Sequence, residues 1–193
     1  MRQSLLRSVT SGPTVVEALR AELAPFNIYP ATVVEVPEAR AFAADLIGGE
    51  IVSPEALRMV HERTGAGLFV YRDHGVLSGV IALVLLTDEG LRAAMTDAFD
   101  ALSPNPAHVA WPQEEPAGVY GWGIAAADKT TARHLVEASA AMTSNSIGHL
   151  PHFARAATEA GARFMERLGF RPYPNSRKGL VLLDPQRDRK VAA

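Results

Sequence analysis

Two segments of the chain contain the residue types that move protons in enzymes. Glu114 and Glu115 stand shortly before Tyr120, and two imidazoles, His149 and His152, follow about thirty residues later. Carboxylates and imidazoles serve as general bases, and imidazoles and phenols serve as acids. Both segments also have ordinary interpretations, with His152 as a packed strand residue and the two glutamates as solvated loop charges. No third ligand accompanies the histidines at a recognisable spacing, so no metal site is expected.

A third segment carries the pattern of an anion site. The run 128–144 predicts a helix that Asp128 caps. The first turns of a helix offer unpaired N–H groups and a partial positive charge, to which Lys129, Thr130, Thr131 and Arg133 could add donors. The alternative is that Asp128 is a simple cap, whose carboxylate occupies the same N–H groups. The sequence leaves both interpretations open.

Two glycines interrupt the strand predicted over 119–127. Gly121 and Gly123 stand on either side of Trp122. Glycine weakens a strand interior, so its presence there suggests a bulge or a close approach of the backbone to a ligand. The alternative is that the glycines make room for the indole against a neighbouring helix.

Composition limits the class of protein. The chain has 193 residues, 48% of them hydrophobic, which suffices for one domain with a core of normal size. The net charge of −2 gives no attraction to nucleic acid or to an anionic membrane, and neither partner is expected. The chain has no cysteine and no signal-peptide pattern, so we expect a cytoplasmic protein.

The elements that position these residues follow from periodicity and from glycine and proline signals. The segment 76–86 is apolar on both faces and predicts a central strand covered on both sides. The proline-rich segment 103–118 is irregular, and together with Trp111 and Trp122 it suggests an apolar pocket, although aromatic packing is the ordinary role. The predicted helices are 13–24, 38–47, 53–61, 88–101, 128–144 and 158–169, and the predicted strands are 28–36, 67–73, 76–86, 119–127 and 150–157, followed by a final hairpin.

The segment TEAGARFMERLGF, residues 158–170, resembles the closing helix of the GNAT superfamily of acyl-CoA-dependent N-acyltransferases. The family pattern is roughly N-x-x-A-x-x-F-Y-x-x-x-G-F, and Thr158, Gly161, Phe164, Met165, Gly169 and Phe170 stand at its places. The resemblance implies an α/β domain over 28–184 with a mixed, mostly antiparallel central sheet and helices on both faces. Residues 1–27 would then be a helical extension, and 185–193 a tail.

The resemblance also implies a cosubstrate and a site. Acyl-CoA, with acetyl-CoA as the expected form, would lie along a splayed central strand and deliver its acyl group to a small-molecule or peptide amine. Met165 replaces the Tyr that commonly protonates the thiolate, so another acid is needed, for which Tyr120, Tyr173, His149 and His152 are available. The implied catalytic residues are His152, Glu115 and Tyr120, and the implied cosubstrate-binding residues are Gly123, Ile124, Ala125, Lys129, Thr130, Thr131, Ala132 and Arg133.

Two alternatives belong to other classes. In the first, the chain is a non-catalytic GNAT-like module that binds a ligand or partner through residues 88–116. In the second, it is a structural homodimer subunit whose contact is the apolar helix 13–24.

Overall fold

The fold is a seven-stranded sheet with helices on both faces. The structure, a computed structural model, describes residues 12–48, 51–174, 176 and 178–185. Within them the strand order is β1-β2-β3-β4-β5-β7-β6, and the pairing is antiparallel except between β4 and β5. The strands are β1 (Ile28–Pro30), β2 (Leu68–Asp73), β3 (Val76–Leu86), β4 (Gly118–Ala126), β5 (His152–Arg155), β6 (Arg171–Pro172) and β7 (Leu180–Leu183).

Six helices accompany the sheet in the described part of the chain. None of them is long and apolar enough to cross a bilayer. Two short 3₁₀ turns, at Ala24–Phe26 and Pro106–His108, complete the chain path. The helices are α1 (Val15–Leu23), α2 (Val36–Ile47), α3 (Pro54–Thr64), α4 (Asp88–Met95), α5 (Lys129–Ser144) and α6 (Glu159–Arg167).

Strand β3 lies inside the sheet between β2 and β4, as its apolar sequence predicts. Every residue from Leu77 to Leu86 is buried except Ala82. On one face, Ile81 and Leu83 join a core cluster with Leu19 of α1 and Leu135 of α5. On the other face, a second cluster includes Val80 and residues of α2 and α3. The sheet therefore has an α1/α5 face and an α2/α3 face.

Several element boundaries differ from the sequence predictions. The strand predicted over 28–36 ends at Pro30, because the Glu35 carboxylate accepts hydrogen bonds from the backbone N–H and the hydroxyl of Thr32 and closes a turn there. The helix predicted over 88–101 ends at Met95, and Asp97 adopts a left-handed φ of 59°. The strand predicted over 150–157 contains only His152–Arg155, since residues 156–158 lead into α6.

Helix α1 is an integral part of the core. Thr14 and Glu17 form a reciprocal capping box at its start. Its apolar residues Val16, Leu19 and Leu23 are buried in the cluster that contains α5. The apolar face of α1 is thus buried against other parts of the same chain. This corrects the expectation that helix 13–24 offers that face as a subunit contact.

A buried histidine of α3, His61, forms hydrogen bonds with the backbone just after β1 and at the start of β2. The Nε2 of His61 lies 2.7 Å from the carbonyl oxygen of Ala31, and its Nδ1 accepts the backbone N–H of Leu68 at 3.2 Å. Because Nδ1 accepts, the neutral ring carries its proton on Nε2 and donates to Ala31. Burial lowers the pKa of His61. Protonation at Nδ1 would break the bond to Leu68.

We predict that acid destabilises the fold through His61. Its pKa is depressed only in the folded state, so the unfolded chain binds a proton first as the pH falls below about 6.5. The free energy of unfolding should then fall by up to about 1.4 kcal/mol per pH unit for this group. Urea unfolding between pH 7.5 and pH 5 measures the slope. His61→Asn should flatten the slope, whereas the control His74→Asn, at a side chain 96% exposed, should not; equal slopes in all three proteins would contradict the assignment.

Candidate functional site

The pairing between β4 and β5 stops halfway along β4. Val119, Tyr120 and Gly121 pair with His152, Phe153 and Ala154, and β4 then continues to Ala126 with β3 as its only partner among the described strands. Buried backbone N–H and C=O groups require hydrogen-bond partners. Because β5 no longer pairs with β4 from Trp122 onward, this edge of β4 faces a gap inside the sheet, where its backbone groups need another partner.

A β-bulge lies at the point where the gap opens. Ala82 of β3 pairs with Gly123 and Leu83 pairs with Gly121, so Trp122 has no residue opposite it. The indole N–H donates to the carbonyl oxygen of Ala101 at 2.7 Å, which fixes the ring on the α2/α3 face. The two glycines thus accompany a bulge, one of the outcomes that the sequence suggested.

A cavity of about 680 Å³ passes through this gap. Because of it, Ala82 and the segment 121–124 are partly accessible to solvent although they stand in the two central strands. Lining residues come from both sides of the sheet. On the α1/α5 face they include Ser139, Met142, Gly161, Phe164 and Met165, and on the α2/α3 face Ala39, Ala43, Ile47, Phe99 and Leu102.

Helix α6 forms one wall of the cavity and has the ends that its sequence predicts. The Thr158 hydroxyl caps it by accepting the N–H of Gly161 at 3.0 Å. Gly169 follows the helix with a left-handed φ of 93°, a conformation that glycine adopts without strain. Met165 lines the cavity, so a thioether occupies this wall and no proton donor stands at this position.

The N-terminus of α5 is capped from within. The Asp128 carboxylate accepts the N–H of Thr131 at 2.8 Å, and this bond lowers the pKa of Asp128. Thr131 is buried, with its methyl carbon 3.1 Å from the position that a Cβ on Gly79 would take. Lys129 and Arg133 are exposed. Of the residues predicted to hold phosphate, these two cations offer the most accessible charge.

His152 lies on β5 at the paired end of the gap and lines the cavity. It is 4% exposed, and its Nε2 lies 2.8 Å from the carbonyl oxygen of Ile147. Burial lowers the pKa of His152. The ring is therefore neutral near pH 7, donates from Nε2 and carries its lone pair on Nδ1. This state favours proton acceptance over the donation for which the sequence put it forward.

Tyr120 is the neighbouring residue on β4 and lies on the opposite face. Its ring stacks on Phe99 with centroids 4.9 Å apart, and it lines the cavity. Burial raises the pKa of Tyr120, although the guanidinium of Arg155 works in the other direction. The hydroxyl thus keeps its proton and acts as a hydrogen-bonding group.

Glu115 lies outside the cavity wall. Its carboxylate is 3.4 Å from His149 Nε2, and both side chains are exposed. The two residues precede the paired ends of β4 and β5, whereas the gap opens at the other ends of these strands. Glu114 accepts the N–H of Trp111 in the same loop. These positions give no support to the predicted role of Glu115 as a base.

Sequence reasoning overlooked the cationic side of the cavity. Arg155, Lys178 and Arg40 line it, with Asp100 as their acidic companion among the described lining residues. The sequence contained a signal for Arg155. A charged residue at the end of a short apolar strand next to the gap does not pack in the hydrophobic core, which suggests another role. Lys178 and Asp100 come from loops, whose placement follows from tertiary contacts.

Comparison with solved structures identifies the fold. No protein-family model and no curated protein matches the chain. The loading GNATL domain of CurA from Lyngbya majuscula superposes with a TM-score of 0.56 at 13% identity, over 83% of this chain and 98% of that one. Chaetomium thermophilum Naa20, solved in complex with a bisubstrate analogue, gives 0.51 at 13% identity, over 84% and 88%. The chain therefore has the GNAT fold, which confirms the fold that the C-terminal motif implied.

We predict that the pKa of Tyr120 lies above that of a free tyrosine. The chain has four tyrosines, of which Tyr29 is 51% exposed and Tyr120 is 4% exposed. Because burial disfavours the phenolate, Tyr120 should stay protonated at a pH where a free tyrosine has ionised. Absorbance at the phenolate band during an alkaline titration measures this. Tyr120→Phe should remove the latest step in the titration, and the control Tyr29→Phe should leave that step in place; a latest step that survives Tyr120→Phe would show that Tyr120 is solvated.

Proposed function

We propose that the chain is an acyltransferase that moves an acyl group from coenzyme A to an amine by direct attack. The observation that supports it most is the gap beside β4, where pairing with β5 ends at Gly121 and a cavity runs through the sheet. An extended ligand arm can take the place of the missing strand by hydrogen bonding to the free edge, as peptides do at sheet edges. The gap is lined by Gly123, Ile124 and Ala125. The family resemblance implied that these three residues bind the cosubstrate.

In this proposal the pyrophosphate lies at the start of α5, on Lys129 and Arg133. The Asp128 carboxylate opposes it, since it already accepts the Thr131 N–H and is negative at neutral pH. Thr130 and Ala132 contribute backbone near the same turn, and Thr131 contributes through its burial under the helix. Phosphate binding here thus depends more on side-chain cations than on a glycine-lined loop.

The proposed reaction needs one proton to move from nitrogen to sulfur. The amine nitrogen forms a bond to the thioester carbon, the carbon–sulfur bond breaks, and the sulfur leaves with the electron pair. His152 Nδ1 takes the proton from the attacking nitrogen and passes it to the leaving sulfur, so the ring is neutral before and after. Backbone N–H groups near Gly123 and Ile124 polarise the carbonyl. Tyr120 stays protonated and orients the reacting groups by hydrogen bonding.

We predict that charge at the start of α5 controls coenzyme A affinity. Arg133→Glu should weaken binding by about fivefold or more at low salt, because a unit charge at about 4 Å in water is worth about 1 kcal/mol. Asp128→Asn keeps an N-cap acceptor and removes the negative charge, so it should tighten binding. Isothermal titration calorimetry with coenzyme A measures both. Arg92→Glu on α4 is the matched control; equal affinities in all variants would move the phosphate site elsewhere.

We predict that His152 sets the acid limb of the activity profile. Since burial lowers the pKa of this imidazole, activity should persist below pH 6.5 and fall only when the buried ring is protonated. His152→Gln should lower kcat by about a hundredfold or more and remove that limb, with coenzyme A affinity retained. Thiol release from acyl-CoA with a panel of amines, followed across pH, provides the measurement. An unchanged profile in the variant would rule out the proton transfer.

The non-catalytic alternative makes a different set of expectations. In a ligand-binding module, residues 88–116 would hold a ligand or partner and acyl-CoA would have no site. Thermal shift with several acyl-CoAs distinguishes the two, because a ligand that binds the folded state raises the melting temperature. An absence of stabilisation by every acyl-CoA would favour the module.

A further inference from the structure

The cavity as a whole, at about 680 Å³, is larger than an acetyl group requires, and most of its lining residues on the α2/α3 face are apolar. We define the acyl chamber as the space bounded by Ala39, Ala43 and Ile47 of α2, Val80 and Ala82 of β3, and Trp122 of β4. Resting on the proposed function, we propose that this chamber holds the acyl chain of the cosubstrate and selects chains longer than acetyl.

The chamber lies directly beyond the gap. A Cβ on Gly123 would stand 3.6 Å from Ile47 Cδ1, so the C-terminal part of α2 faces the strand where the ladder has opened. One cavity connects this space with the α6 wall at Met165. A carbonyl held at the bulge thus has its sulfur toward α6 and its alkyl chain toward α2.

Small side chains keep the chamber open. Ala39 and Ala43 stand one helical turn apart on the sheet-facing side of α2, and Ala82 stands on β3 opposite the bulge. The neighbours of Ala82 on β3 are Ile81 and Leu83, both buried. Core interiors are normally filled to crystal-like density, so space maintained by alanines beside central strands fits a ligand volume.

Polar atoms of three side chains around the chamber are engaged by the backbone. Arg40 Nε donates to the carbonyl oxygen of Val52 at 2.8 Å, and the indole N–H of Trp122 donates to that of Ala101. The Asp100 carboxylate accepts the N–H groups of Leu102 and Ser103. The six residues that bound the chamber present only hydrocarbon and the indole ring to it. An alkyl chain gains free energy on entering such a space, whereas a protonated amine would lose hydration there, since none of these six side chains is a carboxylate.

Binding of an acyl-CoA series without an acceptor tests the assignment. Calorimetry with coenzyme A and its acetyl, butyryl, hexanoyl and octanoyl thioesters, below their micellar concentrations, gives dissociation constants for each. Burial of a methylene group is worth about fourfold in affinity, so octanoyl-CoA should bind at least about tenfold more tightly than acetyl-CoA. Affinity independent of chain length would overturn the proposal and indicate that the space holds the acceptor. The proposed transferase function would survive that result, whereas failure of every acyl-CoA to bind would overturn both.

Filling the chamber provides the second test. Ala43→Phe should abolish the gain from acetyl to octanoyl and leave acetyl-CoA affinity within about twofold, since one buried ring replaces the alkyl chain. Leu46→Phe, on the same helix at a residue 46% exposed, is the matched control and should keep the gain. If the ring destabilises α2, Ala43→Leu makes the same comparison with a smaller side chain. A full gain in folded Ala43 variants would overturn the placement of the chain.

Discussion

The candidate site depends on one place in the sheet, between β4 and β5, where the hydrogen-bond ladder is incomplete. β4 and β5 are the only parallel neighbours among the described strands, and they share just three paired positions before they separate. A sheet centre normally pairs every backbone group, because unpaired N–H and C=O groups are costly when buried. Separation exposes the edge of β4 at the bulge, where Trp122 has no opposite residue. The cavity, the wall of α6 and the partial exposure of Ala82 all follow from that separation.

The two titratable groups at the paired end of this gap have opposite tendencies. Burial lowers the pKa of His152 and raises the pKa of Tyr120, so both side chains are neutral near pH 7. They stand at adjacent register positions on opposite faces of the sheet. One is suited to accepting a proton and the other to keeping its own. These two groups are thus uncharged, whereas the cations that line the cavity are Arg155, at the end of β5, and Lys178, in the loop before β7.

The sequence predicted those features that local chemistry controls. The apolar run of β3, the cap at Thr158 and the stop at Gly169 require only nearby residues, and all three are present. The short extent of β1 escaped prediction, because the Glu35 turn competes with the strand for Thr32. The cavity wall at Arg155 and Ala43 escaped as well, since it joins elements more than one hundred residues apart. The position of Glu115 in the chain, shortly before β4, suggested a general base, but the fold places it beside His149 at the surface.

The arrangement of the two tryptophans has an optical consequence. Trp111 is 52% exposed and stacks on the Arg63 guanidinium at 4.1 Å, whereas Trp122 stands at the bulge with its ring against the cavity. The chain contains just these two indoles, in distinct surroundings. Emission from the interior indole responds to displacement of water from its ring, while the outer indole supplies a constant red-shifted background. Trp122 is therefore an intrinsic fluorophore beside the cavity, and ligand binding in the cavity can be followed without a label.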